Sequence, residues 1–564
     1  TDLDTSGVPQ QFPIQNERLK TTKIDDFKKI PGSPIAYWVS DKVRDVFDFG
    51  VFVQEYAVPR QGFATGRNDR FLRYWHEINF HFSSISCFYA HQGFKWYPCN
   101  KGGTFRKWYG NNNYVVNWGN DGSEMKEFSG SVIRNPSYDF KKGTTWSTIS
   151  SSSLSMRFSP AGFLFETKGS VCFPDSDAKL NLVLALMNSK VVSELLLAIS
   201  PTLDFHEGPI GKIPVLPELE MQVQISVEKM VEISKLDWDS YETSWDFTEN
   251  PIIRTQQPNL EQSFNTWQQQ NTAAVAEMKQ LEEENNKLFI DAYGLQDELT
   301  PDVPDEQITL TRADREKDSQ RLVSYVIACM MGRYSLDELG LIYAHAANED
   351  FDLSRYKKFP ADVDGIIPLT QEHWFENDAA TRIKEFLGTV WTKESLEDNM
   401  RWLSDSLGSK VGETPEESIR RYLATKFYKD HMRTYQKRPI YWLFSSGKLG
   451  AFQALVYLHR YNESTLARMR TEYVMPLMSK MAAYVKSLET SKENSDSAAE
   501  IKRIEKKIQD LEKQQAELSI FEEKLRHYAD QRISLDLDDG VRVNYGKFGD
   551  LLANAKDIAA KGKD

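Results

Sequence analysis

Short alternating runs fill the first part of the chain and three-four spacing fills the rest, so the pattern predicts a β-rich unit followed by helices. From Ile35 to residue 216 the apolar positions come in brief runs separated by Gly and Asn. Examples are Tyr114-Val115-Val116-Asn117-Trp118, Ser131-Val132-Ile133 and Gly162-Phe163-Leu164-Phe165-Glu166. The long apolar stretch Leu180 to Leu197 reads as one amphipathic helix closing this unit, with Lys212-Ile213-Pro214-Val215 as its last strand. Residues 1–34, turn-rich around Pro9, Pro13, Pro31-Gly32 and Pro34, read as a connector. Over 217–319 the pattern becomes helical, with Val275, Met278, Leu281 and Leu288 on one stripe of an acidic helix. A mostly helical domain is expected over 320–462, from segments at 321–331, 381–387, 396–407, 418–432 and 451–461. Over 463–564, Ile501, Ile504, Ile508, Leu511, Leu518 and Leu525 make a coiled-coil seam. Its partner is Thr465 to Leu488, across the polar loop Glu489 to Ser497. The expected class is α+β: a mixed α/β domain, a helical spacer, a mostly helical second domain and a C-terminal coiled-coil hairpin.

Composition narrows this picture. With 40% hydrophobic and 27% charged residues the chain has the balance of a folded globular protein. The most apolar stretch, Leu180 to Ile199, is broken by Asn181, Asn188, Ser189, Lys190, Ser193 and Glu194, so no membrane span is expected. The opening Thr1-Asp2-Leu3-Asp4 lacks the features of a secretory signal, and an N-terminal truncation is expected. Cys87, Cys99, Cys172 and Cys329 are scattered, which suits a reduced cytoplasm and gives no zinc spacing. The net charge of -13 hides an asymmetry: residues 60 to 160 carry thirteen bases against six acids, whereas the stretch to Thr311 is acidic around Glu282-Glu283-Glu284. Phosphate contact depends on the charge of the segment that makes it, so the basic stretch is the candidate for nucleic acid.

Within that stretch, Thr65, Arg67, Asn68 and Arg70 follow one another closely, and Lys101, Arg106 and Lys107 lie among glycines and aromatics in Lys101-Gly-Gly-Thr-Phe-Arg-Lys-Trp-Tyr-Gly110. Arg and Lys neutralise phosphates or read guanine, Asn pairs with adenine, and glycines let backbone N–H groups approach phosphate oxygens. Arg134, Lys142 and Arg157 extend the set, the last at the end of the hydroxyl-rich run from Gly143. A solvated basic loop over packed tryptophans is the bland alternative. Asn135-Pro136-Ser137-Tyr138 lacks the second proline of an amino-methyltransferase loop, and no Phe-x-Gly-x-Gly cofactor run precedes it, so a turn is expected. His76 and His81 would stand about 140° apart on a helix, unsuited to zinc. Asp139-Phe140-Lys141 lacks a nuclease's upstream Pro-Asp, and Gly447-Lys448 lacks the rest of a phosphate loop.

Longer motifs carry a resemblance. Phe27 to Trp38, Thr65-Gly-Arg-Asn-Asp-Arg-Phe71, Lys101 to Gly110 and Asn117-Trp-Gly-Asn-Asp-Gly122 resemble the PglX family of BREX phage-defence DNA methyltransferases. So do Asp237 to Phe247, Gly332-Arg-Tyr-Ser-Leu336, Arg438-Pro-Ile-Tyr-Trp-Leu-Phe444 and Asp539-Gly-Val-Arg-Val-Asn-Tyr545. The type IIG restriction-modification enzymes share this likeness. The resemblance implies a parent enzyme that methylates adenine N6 with S-adenosylmethionine and marks host DNA as self. It implies that residues 35–216 are the target-recognition domain and that the catalytic domain precedes Thr1. No cofactor is then expected in this chain, which is expected to be inactive alone. The implied partners are double-stranded DNA, other BREX proteins and acidic phage proteins that mimic DNA. The alternatives are a protein-interaction scaffold of a defence complex or the specificity half of a type IIG enzyme.

Overall fold

The computed structural model describes residues 23–85, 93–150, 153–200 and 202–559. Pro9, Pro13 and Cys87, along with the first residues of the expected connector, lie outside them. The architecture is mixed α+β, with two four-stranded sheets in the first part and a three-stranded sheet in the second.

One sheet runs Val58–Arg60, Val171–Phe173, Gly143–Trp146, Met156–Ser159, antiparallel throughout. The other runs Leu72–Tyr74, Tyr114–Asn117, Trp96–Asn100, Leu164–Phe165, with its last pair parallel. The expected strands at Tyr114 and Leu164 are present, while the run at Ser131 makes only a single bridge, Ala64 to Val132. The single helix expected from Leu180 to Leu197 is two, Asp177–Met187 and Lys190–Ile199, bent by 73°. Asn188 explains the break. Its side chain donates to the carbonyls of Met156 (3.0 Å) and Leu184 (3.1 Å) and accepts the Met156 N–H (2.9 Å), tying the turn to a strand edge. In the first helix every residue from Leu180 to Met187 is buried, the mark of a helix wrapped on all sides. No single helix is long and apolar enough to cross a membrane.

The helix Leu260–Ala292 has 33 residues, a rod of about 50 Å. Its first turns place Leu260, Phe264 and Trp267 in one hydrophobic core, and its last turns place Met278, Phe289 and Ile290 in another. The spacer therefore ties the two cores together. In the core that holds Leu260, Phe264 and Trp267, the second core along the chain, pack the helices Arg315–Met330, Ala379–Val390 and Leu396–Ser406, together with Pro415–Tyr422, which runs through a π turn into Tyr428–Thr434.

The helix expected over 451–461 is not formed. Gln453–Tyr457 is instead the central strand of the three-stranded sheet, between Ile366–Pro368 and Tyr441–Ser445. Ala454 through Tyr457 are all buried, and a continuous apolar run carries no periodicity to separate a covered strand from a buried helix.

The C-terminal helices Met475–Glu493 and Ala498–Asp530 pack against each other, the second capped by Ser497, which accepts the Glu500 N–H. Leu511, Leu518, Phe521 and Leu525 join the second core, with Phe521 5.9 Å from Phe452. Residues 320–462 and the paired helices thus share one core. A short segment then returns to the first unit. Asp538 accepts from Lys95 Nζ (2.6 Å) and Trp96 Nε1 (2.8 Å), and its carbonyl accepts from Arg73 Nη2 (2.6 Å). Gly540 follows with φ of +76°, and a Cβ there would lie 2.7 Å from Arg73 Nε, so only glycine fits this contact without a shift.

Candidate nucleic-acid interface

That return closes one side of a cleft of about 680 Å3. Its first wall is built by Arg67, Asn68, Arg73, Tyr74, Lys101 and Tyr114, and its second by Gln436, Lys437, Arg438, Gly540 and Arg542. The walls are held together by Glu77, whose carboxylate accepts the N–H of Tyr74 (3.1 Å) on one side and of Val541 (2.9 Å) on the other. Tyr74 Oη donates to Gln436 Oε1 (2.6 Å) and accepts from Tyr114 Oη (2.8 Å), which adds a second link across the cleft.

Five cations, Arg67, Lys101, Lys437, Arg438 and Arg542, line the cleft against three acids, Asp69, Glu77 and Asp539, while Arg73 at its base is buried and donates to the carbonyls of Asp69, Leu72 and Asp538. Arg67 pairs with Asp69 at 2.9 Å and holds that carboxyl below its ordinary range, while Glu77 is committed to the two backbone N–H groups. Lys101 lies over the Tyr114 ring at 5.8 Å. Gln436 and Lys437 both take left-handed backbone, with φ of 49° and 60°, in the tight turn after Tyr428–Thr434 that exposes their side chains at the rim. The result is a positive, amide-bearing surface of the kind that phosphates and base edges require.

The ten residues singled out in the sequence divide into three sets. Arg67, Asn68 and Lys101 line the cleft, and buried Thr65 supports them, its hydroxyl donating to Asn68 Oδ1 (2.7 Å). Arg70, Arg134 and Lys142 lie away from the cleft lining. Arg70 pairs with Glu124 (2.7 Å), Arg134 Nη1 donates to the Gly62 carbonyl (3.4 Å), and Lys142 pairs with Asp177.

Arg106, Lys107 and Arg157 are buried, and that takes them out of the surface DNA could touch. Arg106 donates to Asp237 (2.8 Å) and to the carbonyls of Tyr109 and Ser234. Lys107 donates to Glu282 (2.6 Å), which also accepts from Trp108 Nε1 (2.8 Å). Arg157, 1% exposed, donates to the Arg106 carbonyl, and burial beside Arg106 pulls its guanidinium down to about 10. Together they bolt the sheets to the spacer. Glu282 is the counter-charge of Lys107 and Asp237 that of Arg106, so part of the basic loop is matched by carboxylates of the spacer.

Sequence reasoning missed the whole second wall. The signal was present, since Arg438 and Arg542 lie inside motifs already noted, Arg438 to Phe444 and Asp539 to Tyr545. Asn135 stands in left-handed backbone at the start of a 3-10 turn, Pro136–Tyr138, and its amide donates to the Gln61 carbonyl (2.9 Å). Among the described residues no group of three or more His, Cys, Asp or Glu could hold a metal ion.

The molecule is thus a mixed α+β protein with two large cores and a cation-lined cleft between its first unit and its C-terminal segments. By sequence it is similar, over nearly its whole length, to part of two proteins named as adenine-specific methyltransferases. It is 42% identical over 571 residues to the adenine-specific methyltransferase BrxX of Escherichia coli O9:H4 (strain HS), covering 96% of this chain and 46% of that protein. It is 40% identical to the adenine-specific methyltransferase PglX of Lacticaseibacillus casei (strain Zhang), covering 97% of this chain and 47% of that protein. The chain spans about half the length of the curated relatives it matches. No family model matches it.

Proposed function

We propose that this chain is the DNA-recognition part of a BREX-type adenine-N6 DNA methyltransferase, and that the cleft is its duplex-binding surface. One observation carries the reading: four separate motifs, at Thr65–Phe71, Lys101–Gly110, Arg438–Phe444 and Asp539–Tyr545, each send a cation into the same cleft. Phosphates are met from both walls, while Asn68 and Gln436 supply amides able to pair bidentately with adenine edges.

The methyl donor in this reading is S-adenosylmethionine, and the described residues do not fit it. Asn135 to Tyr138 forms a turn whose amide is spent on Gln61, and no glycine-rich cofactor run occurs in the sequence. Methyl transfer therefore belongs to the rest of the parent protein, and the chain alone recognises DNA without modifying it. Its action in the cytoplasm beside other BREX proteins is part of the same proposal. An acidic phage protein that mimics DNA competes for the cleft by the same charge complementarity.

The test is fluorescence anisotropy of a labelled random duplex at two salt concentrations. Binding should weaken steeply with salt, and Lys101→Ala and Lys437→Ala should each weaken all sequences alike and reduce the logarithmic salt slope by about one. Salt-independent binding, or no binding to wild type, refutes the proposal.

A further inference from the structure

A separate hollow of about 390 Å3 lies where three segments meet: the loop after Glu220–Trp238, the first turns of Arg315–Met330, and the helical run from Pro415 to Thr434. That is the size of a small-molecule site, roughly 300 Å3 and upward. The helical run carries a π turn at Leu423–Phe427, which contributes Phe427 to the wall. Such turns cluster at functional sites because they interrupt the regular helical ladder at a cost.

The lining combines aromatic faces with two polar groups held in place from behind. Trp238, Tyr241, Phe247, Tyr422 and Phe427 supply the faces. His431 is buried, and its Nε2 accepts two backbone N–H groups, from Ile440 and Tyr441, each at 3.1 Å. With Nε2 occupied as an acceptor, the imidazole carries its proton on Nδ1, and Nδ1 has no partner. Such a buried, unused N–H donor is costly unless something accepts from it. Glu242, also buried, accepts from Tyr435 Oη (3.2 Å) and from the Ser324 hydroxyl, and burial, outweighing the nearby charge of Arg333 and these bonds, pushes its carboxyl up to about 7. Near neutrality it can either accept an N–H or donate to a ring nitrogen.

The cations around the hollow each have an acidic neighbour. Arg106 pairs with Asp237 at 2.8 Å and Arg321 with Asp318 at 2.6 Å, while Arg433 lies 3.6 Å from Asp430 and Lys317 4.0 Å from Asp314. A charged ligand would have to compete with those pairs, so the hollow suits an uncharged one. We infer that it binds a planar, uncharged nitrogen heterocycle of the nucleobase or nucleoside class, with the ring stacked on the aromatic walls and its polar edge on Glu242 and His431. The same class bearing phosphate is disfavoured, because the four cations already have acidic neighbours. This site is distinct from the cation-lined cleft and does not depend on DNA binding there.

Titration calorimetry of the chain with adenosine tests the inference. Saturable one-to-one binding is expected, weakened at least tenfold by Glu242→Gln and by Gln320→Trp, and unchanged by Lys101→Ala. Gln320 lines the hollow from the partly exposed face of its helix and bonds only to Glu316, so the tryptophan fills space without removing a buried partner and keeps the fold if Glu242→Gln does not. No saturation up to millimolar adenosine overturns the inference. So does binding that survives Gln320→Trp undiminished, or that is lost in Lys101→Ala.

Discussion

Lys107 and Arg67 carry the same charge in opposite surroundings, and substitution should separate them cleanly. Lys107 is buried against Glu282, so Lys107→Ala leaves an uncompensated carboxylate in the interior. It should lower unfolding stability by about 3–5 kcal/mol in urea titration, as breaking a buried pair does. Arg67 pairs with an exposed Asp69, and Arg67→Ala should leave the urea midpoint unchanged while weakening duplex binding in anisotropy. The titratable interior makes a second prediction. Burial and the nearby charge of Arg333 push His431 down to about 3, and burial likewise pushes His459 down to about 3. Unfolded histidines take protons below about 6.5, so their contribution to stability is full above that and is lost as the pH falls toward 3. Glu242 acts in the other direction: its folded carboxyl, near 7, holds a proton that the unfolded chain has released, so its contribution falls as the pH rises from about 4.5 to 7. Asp139 and Asp364, pushed up by burial to about 6 and about 7, act in the same direction as Glu242, so the test is the difference between wild type and variant. Glu242→Gln should make the slope of thermal stability against pH more positive between pH 4.5 and 6.5, and an unchanged or less positive slope in the variant would contradict the assignment.

At the scale of elements, periodicity identified helices well where one face meets solvent. Leu396–Ser406 lies close to the expected 396–407, and Arg315–Met330 covers most of the expected 321–331 but starts more than a turn earlier. Patterning failed at two places where surroundings overrode it. The kink at Asn188 depends on a strand edge distant in sequence, and the strand Gln453–Tyr457 depends on neighbours on both sides. The strand supplies a test. Leu455, paired with both Ile367 and Leu443 and wholly buried, should cost about 2–5 kcal/mol as Leu455→Ala, whereas exposed Leu449 before the strand should change stability by less than about 0.5 kcal/mol. Equal effects in denaturant melts would argue against the central position of this strand.

For the whole molecule, the decisive feature is the return of the C-terminal segment to the first unit. Asp538 ties Lys95, Trp96 and Arg73 to a segment that contributes Gly540 and Arg542 to the cleft. Asp538→Ala should therefore raise amide hydrogen exchange over residues 537–545 and weaken duplex binding. Protection in the helix Asp177–Met187 should be unaffected. If exchange rises but binding holds, the second wall makes no contact with DNA and the cleft is one-sided.

The sequence by itself determined the α+β class, the kinship with adenine-specific methyltransferases, and the stretch of chain in which a cationic surface had to be sought. Those are local properties: spacing of apolar positions, motif identity and the charge of a segment. Tertiary structure decided which cations face solvent. Arg106, Lys107 and Arg157 looked as suitable as Arg67 and Lys101, because a side chain's type does not record whether a carboxylate from a distant helix reaches it. Nor could it show that Lys437 and Arg542 lie opposite Arg67, since that depends on long-range contacts such as Glu77 to Val541. Burial and charge pairing are properties of neighbours in space, and only the folded chain brings those neighbours together.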